Sequence, residues 1–146
     1  MSDRNGALDD ALDQAPAGGG TVRVARPGST AEVDVVDVDR LGVRIRALRV
    51  VRERPVDVVG EARALPDRLR ALPDRLEPVE VAPELGGARL RTRPDELRGR
   101  EYFEADVEPS RTTIRRTRIG DDGVRGPTDW AVTRDDLDRL IDETTG

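Results

Sequence analysis

Residues 21–50 read TVRVARPGSTAEVDVVDVDRLGVRIRALRV, and the period of this stretch decides the fold. Val22 and Val24, then Val33 and Val35 against Glu32 and Asp34, alternate with period two, which is the pattern of half-buried strands. Pro27-Gly28 between them predicts a tight turn. Further on, Leu41, Val43 and Ile45 alternate with Gly42, Arg44 and Arg46, giving one apolar face and one arginine face. The phase then slips at Ala47-Leu48, where Leu48 and Val50 take over, and a bulge near Ala47 accounts for the slip.

Working outward, residues 1–20 are polar and end in Gly18-Gly19-Gly20, which predicts a disordered tail with at most a short helix around Leu8, Ala11 and Leu12. Residues 21–146 are read as a single domain. Residues 63–76 repeat RALPDRL twice, and Leu65, Leu69, Leu72 and Leu76 fall at helical spacing. Each copy carries a proline, so the expectation is a helix over 58–76, kinked or broken near Pro66 and ending between Pro73 and Pro78. Val79 to Val81 and Ala88 to Thr92 form a hairpin around Glu84-Leu85-Gly86-Gly87. Residues 101–107 and 112–119 form another around Glu108-Pro109-Ser110-Arg111, and Asp121-Asp122-Gly123 turns the chain into a strand at Val124. Thr133 with Asp136 resembles a capping box opening a short helix that buries Leu137, Leu140 and Ile141. The predicted class is α+β: a mostly antiparallel sheet, with a kinked central helix and a short C-terminal helix packed on one face.

All 25 basic residues are arginine; the chain has no lysine, histidine or cysteine. A Schiff-base lysine, a Ser-His or Cys-His pair, a thiolate nucleophile and an imidazole-ligated metal are therefore excluded. Carboxylates remain. The pairs Asp9-Asp10, Asp121-Asp122 and Asp135-Asp136 fall in the tail, in a turn and at a helix N-terminus, and none has metal-loop spacing. No enzyme activity, cofactor or metal is expected. The N-terminus lacks the basic start and apolar run of a signal peptide, and no stretch reaches the length of a membrane helix, so a cytoplasmic protein with no membrane partner is expected.

Charge is segregated. Residues 1–39 hold three arginines against eight acids, residues 40–120 nineteen against fourteen, and residues 121–146 three against eight. The densest basic stretch, residues 111–118, joins Arg44, Arg46, Arg49, Arg52 and Arg54 in a candidate cationic sheet face. Arg44, Arg46, Arg111, Arg115, Arg116 and Arg118 are the candidate partner-binding residues, because guanidinium suits carboxylate and phosphate through paired hydrogen bonds. Tyr102 joins them: adjacent Tyr102 and Phe103 point to opposite sheet faces, which puts Phe103 in the core and Tyr102 outside. Trp130 reads as a core anchor. The expected function is a non-enzymatic protein-protein interaction module of adaptor, chaperone-like or immunity type. The alternative is a nucleic-acid-associated protein using Arg111, Arg115, Arg116 and Arg118, disfavoured by three aromatic residues in the whole chain. A homodimer through an uncovered sheet edge is a third possibility.

The segments at 39–46 (DRLGVRIR), 72–79 (LPDRLEPV), 102–107 (YFEADV) and 137–142 (LDRLID) resemble those of a group of small bacterial proteins of no assigned function, over about residues 31–143. The resemblance implies no activity and carries no functional residue.

Overall fold

A computed structural model of the chain describes residues 4–94 and 100–146. Among the described residues, nine antiparallel strands and three α-helices follow in the order α1 (Arg4–Asp13), β1 (Gly20–Arg26), β2 (Ser29–Val38), β3 (Gly42–Arg52), α2 (Val58–Arg68), β4 (Glu77–Ala82), β5 (Gly87–Arg91), β6 (Glu101–Val107), β7 (Arg111–Ile119), β8 (Arg125–Thr128), β9 (Trp130–Thr133) and α3 (Arg134–Thr145). The α+β expectation holds. Two meanders, β1-β2-β3 and β4-β5-β6-β7, meet where β3 pairs with β7, and α2 carries the chain from the centre of the sheet to its far edge.

The period-two signal is realised strand by strand. Val22 and Val24 of β1, Ala31, Val33 and Val35 of β2, and Val43, Ile45, Leu48 and Val50 of β3 are buried in the core. Pro27 and Gly28 form the two-residue turn, with Gly28 at φ 76°, a left-handed conformation that glycine adopts without penalty. The bulge falls where the phase slips: Ala47 opposes Asp34 and Ile45 opposes Val35, leaving Arg46 as an extra residue. Leu41 lies outside β3 and is 82% exposed, so it does not share that strand's apolar face.

The three helices cover one face. Leu8 and Leu12 of α1, Val58, Ala62 and Leu65 of α2, and Leu137, Leu140 and Ile141 of α3 join the sheet residues in one core. Residues 4–13 are therefore not the tail their composition suggests. Leu8 and Leu12 sit one helical turn apart on the buried side of α1, and Arg134 reaches Asp9 (2.9 Å) and Asp13 (3.3 Å) to hold it. Thr133 caps α3 by accepting the Asp136 N–H at 3.0 Å, as expected of the capping sequence. Thr133→Ala is expected to cost about 0.5–2 kcal/mol, read as a lowered urea midpoint with unchanged slope.

The tandem heptad departs from its expectation. Helix α2 accommodates Pro66 but ends at Arg68, and the second RALPDRL copy runs as a bent, non-helical segment. A longer helix would put the Pro73 ring against the Leu69 carbonyl with no N–H to bond it, and proline also biases Leu72 away from helical backbone. Leu69, Leu72 and Leu76 are buried all the same. Helix α3 anchors this segment: the Glu143 carboxylate accepts the Arg70 and Ala71 N–H groups at 2.8 and 2.7 Å, and Arg68 Nε donates to the Glu143 carbonyl at 2.7 Å.

Candidate interaction site

The uncovered sheet face is a charge checkerboard. One row of directly opposed residues crosses the sheet as Arg23, Glu32, Arg49, Thr113, Asp106, Arg89 and Glu80; the next runs Thr21, Asp34, Ala47, Arg115, Glu104, Arg91 and Glu77. Arg49 grips Asp34 with two nitrogens, at 2.9 and 2.6 Å, and also reaches Glu32 at 3.5 Å. Arg89 meets Asp106 at 2.8 Å, Arg91 meets Glu104 at 2.7 Å, and Arg115 bonds Asp106 and lies 3.7 Å from Glu104. The Arg49 guanidinium holds the Asp34 carboxyl below its ordinary range, and Asp34 in return raises the Arg49 pKa. Opposite charges paired across strands contribute about 0.2–1 kcal/mol each, so this face is organised by pairing.

The candidate arginines do not form one basic surface. Arg44 pairs with Asp129 at 2.6 Å, Arg111 with Glu108 at 3.0 Å, and Arg116 lies 2.8 Å from Glu101. Arg115 and Arg116, as neighbours on β7, take opposite faces; Arg116 sits over the Phe103 ring at 4.9 Å while Arg115 belongs to the checkerboard. Arg46 projects at the bulge, and Arg118 stands opposite Glu101 in register; neither has a carboxylate within ion-pair distance among the described residues. Tyr102 is on the helix-free face as its parity requires, but it is buried. Arg91 and Arg125 lie over its ring at 5.5 and 5.7 Å, and Arg125 donates to its hydroxyl at 3.2 Å. The expectation of an exposed Tyr102 fails because β8 lies alongside β7 and brings Arg125 across the ring.

One acid of each pair is likewise engaged. Asp9 meets Arg134, Asp122 accepts the Val124 N–H at 2.9 Å to close its turn, and Asp135 and Asp136 occupy the first turn of α3. Among the described residues no helix is long and apolar enough to cross a membrane.

A concave site forms where the sheet splits. The second half of β3 pairs with β7, but its first half pairs with β9, while the second half of β7 pairs with β8. Asp129 joins β8 to β9, so the chain crosses the gap between the two diverging strands. A cleft of about 730 Å³ opens beside the split on the helical side, between the non-helical heptad segment, the start of α3 and β9. Its apolar lining includes Leu72, Phe103, Trp130 and Leu140, with the Phe103 and Trp130 rings edge to face at 5.2 Å. Arg70, Arg116 and Arg139 supply its positive charge, Asp39 and Asp136 its negative charge.

Both acids are committed locally. Asp39 accepts the Gly42 and Leu41 N–H groups at 2.7 and 2.9 Å, which hold its carboxyl below the ordinary range. Asp136 lies 3.5 Å from Arg139, which also reaches Glu143 at 3.8 Å. Arg70 is different: its Nε donates to the Asp67 carbonyl at 3.1 Å, and no carboxylate lies within ion-pair distance of it among the described residues. Arg116 Nε is buried and, although close to Glu101, makes no hydrogen bond.

Of the candidate partner-binding residues the cleft gathers only Arg116; Leu41, Leu72, Phe103, Trp130, Thr133, Asp136 and Leu140, which the sequence marks as strand, core or cap residues, also line it. Arg70 and Arg139 carry no signal in the sequence reading. The available signal was the second proline of the tandem heptad, which turns a predicted helix face into a wall of the cleft. Compared with protein-family models, with curated proteins and with solved structures, the chain matches none.

Proposed function

We propose that the chain is a non-enzymatic protein-protein interaction module, of adaptor, chaperone-like or immunity type, that acts in the cytoplasm and docks its partner in the cleft beside Trp130. The observation carrying this reading is the cleft itself: a concavity of about 730 Å³ with the exposed Leu41 on its wall, a few charged groups at its border, and the buried Leu72, Phe103, Trp130 and Leu140 beneath it. The nucleic-acid alternative loses support from the arginine pairing. A face on which Arg49, Arg89, Arg91 and Arg115 each meet carboxylates has little free cationic surface to lay on a phosphate backbone.

The test is affinity capture of the tagged chain from its native cytoplasm, with and without nuclease, alongside a Leu41→Trp variant. Leu41 lines the cleft and is exposed, so a bulkier ring there obstructs entry without disturbing the core. A stoichiometric protein partner that survives nuclease and is lost from the variant is the expected result. Enrichment that disappears with nuclease, or a partner held equally by the variant, overturns the reading.

A further inference from the structure

We infer that the outer edge of β4 takes, as an added strand, an extended basic segment of a partner protein in which Arg or Lys alternates with large apolar residues. This surface is separate from the cleft, whose lining includes none of residues 77–85. β4 ends the sheet: it pairs with β5 alone, and no backbone group on its other side meets a hydrogen-bond partner among the described residues. Such an edge is a template for a further strand. At the opposite end of the sheet, Val22 and Val24 of β1 are buried, α1 packs against that strand, and Arg26 is tied to Asp138 and Asp142 of α3. On β4, by contrast, every residue from Glu77 to Val81 is exposed, and the large apolar side chains left in solvent include Val79 (54%), Val81 (43%) and the adjoining Leu85 (81%).

The charge of the occupant follows from the row that β4 terminates. Acids inside the sheet face are met by arginines from the strands on both sides: Glu32 by Arg23 of β1 and Arg49 of β3, Asp106 by Arg89 of β5 and Arg115 of β7, and Glu104 by Arg91 of β5 and Arg115 of β7. Glu80 has a strand on one side only. Arg89 stands opposite it but bonds Asp106, and no cation lies within ion-pair distance of Glu80 among the described residues. Glu77, on the same face, has only the exposed Arg93 at 3.7 Å. A strand laid outside β4 with a basic residue opposite Glu80 supplies the missing cross-strand pair, and its alternate apolar side chains fall beside Val81 on the other face. A second copy of β4 would set acid against acid, so the edge disfavours its own symmetric pairing. Pro78, with no N–H, and the bulge at Val79 confine regular pairing to residues 80–82, so the added strand is short.

The test is fluorescence anisotropy of labelled peptides on the intact chain: Val-Arg-Val-Arg-Val-Arg, its twin Val-Glu-Val-Glu-Val-Glu, and the arginine peptide with every backbone nitrogen methylated. The first alone is expected to bind, since the second repeats the charge of Glu80 and the third keeps the cations but has no N–H to donate to the edge. Glu80→Gln should weaken the first about tenfold, the loss of one charge-assisted contact. Glu53→Gln, which removes an exposed carboxylate elsewhere, and Leu41→Trp in the cleft should leave its affinity unchanged. These variants alter exposed side chains, and a melting curve for each confirms folding. Failure of the arginine peptide to bind, equal binding of the glutamate or methylated peptide, or an affinity unmoved by Glu80→Gln overturns the inference. So does sedimentation of the chain alone as an oligomer that Glu80→Gln dissolves, because the occupant of the edge is then a second copy. None of these results bears on the cleft, which the Leu41→Trp capture experiment tests separately.

Discussion

Glu61→Ala is expected to cost the fold about 3–5 kcal/mol, the penalty of leaving a buried charge without its partner. Glu61 lies on the buried side of α2, 4.0 Å from Arg52 and 2.8 Å from Arg68, and the Arg52 and Glu61 side chains are only 5% and 8% exposed. Burial pushes the Arg52 pKa down and Glu61 opposes it, while Arg68 adds a second positive charge to the same group. Arginine stays protonated regardless, so loss of the carboxylate leaves two facing guanidinium groups in a poorly solvated place. The remaining Arg52 contacts, to the Thr112 hydroxyl at 2.9 Å and the Glu108 carbonyl at 2.7 Å, satisfy hydrogen bonds but supply no full negative charge. Urea unfolding of Glu61→Ala should show a large fall in midpoint. Arg23→Ala, which removes an exposed pair at 3.1 Å, should stay within about 0.5 kcal/mol of the parent. Equal effects in the two variants would refute the distinction.

Leu12→Ala is expected to cost about 2–5 kcal/mol, as for a leucine in a closed core. Leu12 is 2% exposed, in the α1 turn that packs against β1 and α3. A residue in an unstructured tail would lose almost nothing on truncation, so the thermal midpoint of this variant separates the two descriptions of residues 4–13. Gln14→Ala, on an exposed side chain just beyond the helix, serves as the control and should leave the midpoint in place.

The sequence allows a short helix around Leu8 and Leu12 but does not show that it joins the core, because α1 is weakly patterned: RNGALDDALD has two leucines and no long apolar stripe, and its helicity depends on a partner surface. The strands were readable because alternation is a property of the local backbone, and Val22, Val24, Val33 and Val35 carried it plainly. Tyr102 marks the limit of that signal. Its parity put it on the correct face, but its burial depends on Arg91 and Arg125, which arrive from β5 and β8. The second RALPDRL copy shows the same division from the other side, since the burial of its leucines was legible and the helix presumed to cause it was not. Arg115 and Arg116 were read together from their adjacency, although neighbours in a strand face opposite ways and meet different acids.

By itself the sequence determined the strands other than β9, most of the turns, the α3 cap and the identity of most core leucines and valines. All of these rest on backbone period, glycine and proline stereochemistry, or hydrogen bonds spanning a few residues. Only the tertiary structure decided that the sheet arginines neutralise cross-strand acids, that α1 belongs to the core, and that a cleft opens where β3 and β7 part. Those outcomes depend on which distant segments pair and in what register, and pairing is a collective minimum of packing and charge that no local window of residues encodes.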